Sequence, residues 1–159
     1  ELEILARIIK GETPETVSMD GHIAVAAVLL NRVRSPEFKN TIAGVAHAKK
    51  HFSCYNPGER ARLYWGKIPS WAWEAARAAL AGQDPTGGST HYFNPYIVIP
   101  RWAKNLEFVL RIGTTRTTTH DFYRVPGAIK ILPAAEVAAG TTDTEERRVA
   151  RGISALLRQ

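Results

Sequence analysis

The stretch Ile23–Leu30, IAVAAVLL, places apolar side chains on nearly every face of a helix. It is far shorter than the roughly 18 residues that a membrane span requires. A helix apolar all round and too short to cross a bilayer has to be enclosed by protein. It is expected to be the central helix of a domain, over about residues 20–33. Asp20 is the expected N-cap, and Ser35-Pro36 the expected end, because a residue before proline avoids the α region.

The chain has enough material to enclose such a helix. Its 159 residues make one domain, with or without a tail, and bury roughly 70% of the unfolded surface. An apolar fraction of 45% and a charged fraction of 23% exclude a chain disordered throughout. Cys54 is the only cysteine, which excludes an internal disulfide and a CxxC zinc pattern. The net charge of +6 favours a polyanion, leaving nucleic acid, anionic lipid and bacterial cell wall as partners. The sequence begins at Glu1 with neither a methionine nor a basic-then-apolar leader. The expectation is a leader already removed, or a start inside a longer chain.

Around the central helix, Leu2, Leu5, Ile8 and Ile9 predict a helix over 2–11 that stops at Gly11. A third is expected from Asn40 or Thr41 to about Ala48, and a short one over Glu59–Trp65. Another should start at Pro69-Ser70 and stop at Gly82, with Trp71, Ala75, Ala78 and Ala79 on one face. The run Asp84–Gly88 is a turn by composition, and Thr90–Phe93 and His120–Val125 read as short strands. Trp102–Leu110 is expected to be helical. The fold class is α+β, mainly helical, with a small β-hairpin or sheet. After Pro126 the aromatics disappear. Residues 1–125 are expected to form the domain, and 126–159 a linker with a C-terminal helix, Asp143–Leu157, of unassigned role.

Several groups have the chemistry for a site. Glu12 stands just past the first helix, whose C-terminal end is partly negative and disfavours a carboxylate. Favouring the protonated form suits a general acid, which glycosidic cleavage demands. Glu15 and Asp20 lie close enough in sequence to supply a second carboxylate. His47 and His51 have i, i+4 spacing, but Lys49 and Lys50 between them disfavour a zinc site, and no metal or other cofactor is expected. Cys54 with a distant histidine would make a nucleophile pair, although a lone cysteine is more often a small core residue. Tyr92, Phe93, Trp102, Phe122 and Tyr123 cluster near the strands, with His91, Asn94 and His120 interleaved. Such a mixture stacks sugar rings or nucleic-acid bases, or simply fills a core.

In order along the chain, LARIIKGE (5–12), GHIAVAAVLLNRVRSPEFKNTIAGV (21–45), HFSCYNPG (51–58), DPTGGSTHYFNP (84–95) and RWA with HDFYR (101–103, 120–124) resemble the cell wall hydrolase family of spore cortex-lytic enzymes. The chain departs from the family at Thr13-Pro14, where an alanine-rich continuation is usual, and at Thr117–Thr119, where a glycine is usual. The resemblance implies a lysozyme-like domain that cuts the glycan strands of peptidoglycan in the bacterial cell envelope, secreted or phage-delivered. It implies a lytic transglycosylase in which Glu12 is the catalytic acid and then the base. It also implies that Ser53, Tyr92, Asn94, His120 and Tyr123 bind substrate or shape the site, while Asn31 and Phe122 support the fold. A water-admitting muramidase that uses Glu15 or Asp20 is the near alternative. A basic module that binds wall or nucleic acid without catalysis is the distant one.

Overall fold

The computed structural model describes residues 1–49, 51–55, 58 and 63–128. The linker and helix expected beyond residue 128, and most of the helix expected over Glu59–Trp65, lie outside the described residues. The fold is mainly helical α+β, with four α-helices and one three-stranded antiparallel sheet among the described residues.

Helix α1 spans Leu2–Glu12 and buries Leu5, Ala6, Ile8 and Ile9, one stripe at helical spacing. It runs one residue beyond Gly11 and ends because Thr13 is extended (φ −126°, ψ 134°), as a residue before proline should be. Helix α2, Met19–Arg34, is buried from Gly21 through Arg32. Its N-cap is Ser18, whose hydroxyl accepts from Gly21 N at 3.2 Å. Asp20, expected as the cap, sits instead in the first turn, where its charge suits the helix dipole. Ser35 is extended before Pro36 and ends α2 as expected.

Helix α3, Ile42–Ala46, is capped by Thr41, and its C-cap is His47, so it is shorter than expected. A 3₁₀ turn follows at Ser53–Tyr55. Helix α4, Ser70–Leu80, buries Ala72, Ala75, Ala76 and Ala79. Trp71 and Ala78, expected on that face, are half-buried at its margin. Four alanines on the inner face let α4 lie close against α1 and α2.

Strands β1 (His91–Phe93), β2 (Glu107–Ile112) and β3 (His120–Arg124) form a sheet in the order β1-β3-β2. The helix expected over Trp102–Leu110 is a 3₁₀ segment at Arg101–Asn105, followed by β2. Pairing with β3 overrides the local preference, and the register slips by one residue between Phe108 and Leu110. Two bidentate ion pairs cross from β2 to β3. Arg111 meets Asp121 at 2.5 and 2.8 Å, and Arg124 meets Glu107 at 2.9 and 2.6 Å.

The all-round burial of α2 now has a structural account. Val25, Ala26, Leu29 and Leu30 join the core shared with α1, α3 and α4. Ala24 and Val28 face the other way and pack on Phe122 of β3, with Tyr92, Leu110 and Ile112 around them. At its C-terminal end Asn31, fully buried, donates to Asp84 Oδ2 and to Ser89 O, both at 3.0 Å. Asp84 in turn accepts from the amides of Thr86 and Gly88, so the turn leading into β1 is fastened to α2. Asn31→Ala would strand the Ser89 carbonyl and part of the Asp84 carboxylate. Denaturant titration should show a loss of about 1–3 kcal/mol, the penalty for unsatisfied buried groups.

Candidate active site

Three elements bring their ends together around one carboxylate. Glu12 arrives as the last residue of α1, half-buried. The turn after it is pinned: Thr13 Oγ1 donates to Ile9 O at 2.7 Å and lies 2.8 Å from His22 Nδ1. His22 is itself stacked on Trp71 at 4.3 Å between ring centroids.

The second element is the Ser53–Tyr55 turn. It follows Phe52, which is 1% exposed and anchors the segment in the core. The turn approaches α1 at Gly11, where a Cβ would stand 2.7 Å from Cys54 Cβ and 2.8 Å from Leu63 Cδ2. Only glycine allows that approach. As a result Ser53 Oγ and Cys54 N each donate to Glu12 Oε1 at 2.9 Å. The third element is β1, from which the Tyr92 hydroxyl donates to Glu12 Oε2 at 3.0 Å. Burial first, and then the Glu12 charge, push the Tyr92 phenol well above its usual range, so it remains a donor.

Glu12, Ser53 and Tyr92 open onto a cavity of about 530 Å³. Arg32 also lines it, and Phe38, His51, His91 and Trp102 form a wall of rings. His91 and Trp102 stand 5.0 Å apart, and Phe38 lies 5.4 Å from His51 and 5.9 Å from His91. Burial, with Arg32 and His51 nearby, lowers His91 to about 4, so its imidazole is neutral at neutral pH. The cavity thus sets a carboxyl group, held at both oxygens, against aromatic and neutral heterocyclic faces. Such a group can deliver a proton and take one back.

The other expected site residues lie outside this lining. His120 packs edge-on against Tyr92 at 5.4 Å, and Tyr123 stacks on Phe93 at 5.3 Å. The Asn94 amide is engaged in tying two loops together, donating to Arg116 O between β2 and β3 at 2.8 Å and accepting from Tyr96 N in its own loop at 2.9 Å. Glu15 and Asp20 are exposed and do not line the cavity. His47 and His51 contact different rings, Tyr55 and Phe38. Among the described residues no three His, Cys, Asp or Glu side chains are grouped to hold a metal. Cys54 meets Glu12 through its amide. Sequence reasoning passed over Arg32 and Phe38. The available signal was a charged residue at the end of a buried apolar helix.

Two measurements follow from this geometry. Gly11→Ala forces Cys54 away from α1, so the Cys54 amide resonance should move and stability should fall by about 1–3 kcal/mol, as in overpacked cores. The second concerns acid. His91 titrates near 6.5 when unfolded but near 4 when folded, so the unfolded chain binds the proton first. Its contribution to stability is complete above pH 6.5 and is lost as pH falls towards 4. Burial lowers His22, His51 and His120 in the same direction. Unfolding free energies between pH 7 and 4 should slope less steeply in a His91→Gln variant than in the wild type.

Residues 17–123 match the family model described as Cell Wall Hydrolase. Glu12 precedes the matched stretch, so its place rests on the geometry above. A spore cortex-lytic enzyme of Halalkalibacterium halodurans is 34% identical over 113 residues, 71% of this chain and 33% of that protein. One from Bacillus cereus is 33% identical over 113 residues, 71% of this chain and 42% of that protein. The chain therefore spans between a third and about two-fifths of the length of these relatives. Among solved structures, the catalytic domain of the Bacillus cereus SleB protein superposes with a TM-score of 0.67 at 31% identity, covering 77% of this chain and 88% of that one. The catalytic domain of the germination-specific lytic transglycosylase SleB from Bacillus anthracis gives 0.66 at 31% identity, covering 77% and 93%.

Proposed function

The chain belongs to the cell wall hydrolase family, and from that premise we propose that it cleaves the glycan strands of peptidoglycan as a lytic transglycosylase. The observation that carries this reading is the cavity lining. Among the described residues that form it, Glu12 is the one carboxylate. A hydrolytic mechanism calls on a second carboxylate as base or nucleophile. A transglycosylase uses one group twice. Glu12 as the acid gives its proton to the glycosidic oxygen while the bond to the muramic C1 breaks. Glu12 as carboxylate then takes the proton of that residue's C6 hydroxyl as O6 bonds to C1. The strand ends in a 1,6-anhydro ring, no water is consumed, and Glu12 finishes protonated as it began.

The surroundings fit this sequence of events. The Ser53 hydroxyl, the Cys54 amide and the Tyr92 hydroxyl keep the carboxyl group from rotating between its two tasks. The rings of Phe38, His91 and Trp102 offer apolar faces to sugar rings and limit water at the reacting carbon. The basic surface suits an anionic wall. The catalytic unit on this reading is residues 1–125, close to the end of the family match at 123. Its place of action is the cell envelope. Among the described residues no helix is long and apolar enough to cross a membrane.

Purified peptidoglycan digested with wild type and with Glu12→Gln, and read by mass spectrometry, tests the proposal. Anhydro-muropeptides are expected from the wild type, with at least a 100-fold loss in the variant, the lower range for removal of a general acid. Products heavier by one water, with reducing muramic ends, would convert the reading to a muramidase and direct attention to Glu15 and Asp20. No glycan products from folded wild type would leave a binding module.

A further inference from the structure

Arg32 is 7% exposed and lines the same cavity as Glu12. Its guanidinium lies over the rings of Phe38 and Phe52, at 5.4 and 5.1 Å. Nε donates to Thr90 O at 2.7 Å, and Nη1 donates to His51 O at 3.1 Å. These two carbonyls belong to the segments that deliver the donors to Glu12. Tyr92 is two residues beyond Thr90, and Ser53 is two residues beyond His51. We infer that Arg32 is a positioning residue for Glu12, clamping both donor segments with one planar group and facing the carboxylate with a fixed positive charge.

The chemistry favours arginine in this place. A guanidinium sends donors in two directions from one rigid plane while stacking on apolar rings. An ammonium cannot span both carbonyls in the same way. Burial opposes the Arg32 charge, and the Glu12 carboxylate acts to restore it. The groups that face Glu12 and Arg32 from other elements are Tyr92 and His91 of β1, His120 of β3, Cys54 of the 3₁₀ turn and His51 before it. Burial keeps the Tyr92 phenol protonated and moves His51, His91 and His120 towards their neutral forms. Among these groups Arg32 is the charge that stays constant as pH changes, and it favours the carboxylate that must take the C6 proton in the second half of the reaction. The catalytic consequence rests on the transglycosylase reading, whereas the positioning of Glu12 does not.

The test uses the full chain with Arg32→Met and Arg32→Lys, each checked for a cooperative melt. The Glu12 carboxyl is titrated by carbon NMR, and muropeptide release is timed. In the Arg32→Met variant the Glu12 midpoint should rise relative to wild type, because the positive charge is gone. In the Arg32→Lys variant it should stay nearer the wild-type value. Release should slow by about 100-fold in both, the cost of a displacement of about 1 Å at a catalytic group. A Glu12 midpoint that does not move in Arg32→Met, with melting alone affected, would show a purely structural arginine and overturn the inference. If Arg32→Met does not fold, Arg32→Lys decides: release at the wild-type rate overturns the clamp, and slowed release with Cys54 amide and Tyr92 resonances shifted upholds it. Wild type without glycan products, but with a Glu12 midpoint that follows Arg32, would remove the transglycosylase reading and leave the positioning role standing.

Discussion

A sixteen-residue helix buried along three of its turns imposes its own surroundings. Each face of α2 needs an apolar partner, and no single layer can supply them all. Three helices cover one side, and the sheet, through Phe122, covers the other. The C-terminal ends of α1 and α2, which carry Glu12 and Arg32, come up against His91 and Tyr92 of β1. The cavity lies there, bounded by helix on one side and strand on the other. The site therefore follows from how the central helix is enclosed.

Glu12 stands where three separately folded pieces meet. The C-terminal end of α1 is an unfavourable place for a negative charge. The Ser53, Cys54 and Tyr92 donors work against that, each giving a hydrogen bond to the charged form. The site is therefore assembled by tertiary packing. No local segment contains more than one of the three pieces.

Much of this was legible from residue patterns. Apolar spacing in α1, the all-apolar run in α2 and the proline boundaries gave the helices to within a residue or two. Two of the three strands were readable from their aromatics. The third, β2, was not, because its first residues, Glu107–Leu110, fall inside the stretch expected to be helical and are strand by virtue of pairing with β3. The inner face of α4 was misjudged because tryptophan looks more like core than alanine does. Here the close approach of helices selects the smaller residue. Glu12, Ser53 and Tyr92 were each named from the sequence, and the structure brings them within hydrogen-bonding distance. For Arg32 the sequence offered only its place at the end of a buried apolar helix, and no sign of what it holds. Its partners are backbone carbonyls 19 and 58 residues away, and a carbonyl has no residue type to recognise.

Asn31 and Arg32 are neighbours in α2, yet one holds the turn before β1 and the other reaches into the cavity. Successive helical residues point about 100° apart, and that rotation separates the two tasks. The angular phase of α2 is thus shared by its core contacts and by both anchors. One residue added or removed anywhere between Gly21 and Asn31 would swing every downstream side chain through that angle. Length variation among related chains should be absent from this helix and should collect instead in the surface loops. The helix acts as a ruler whose graduations, as well as its surface, are under constraint.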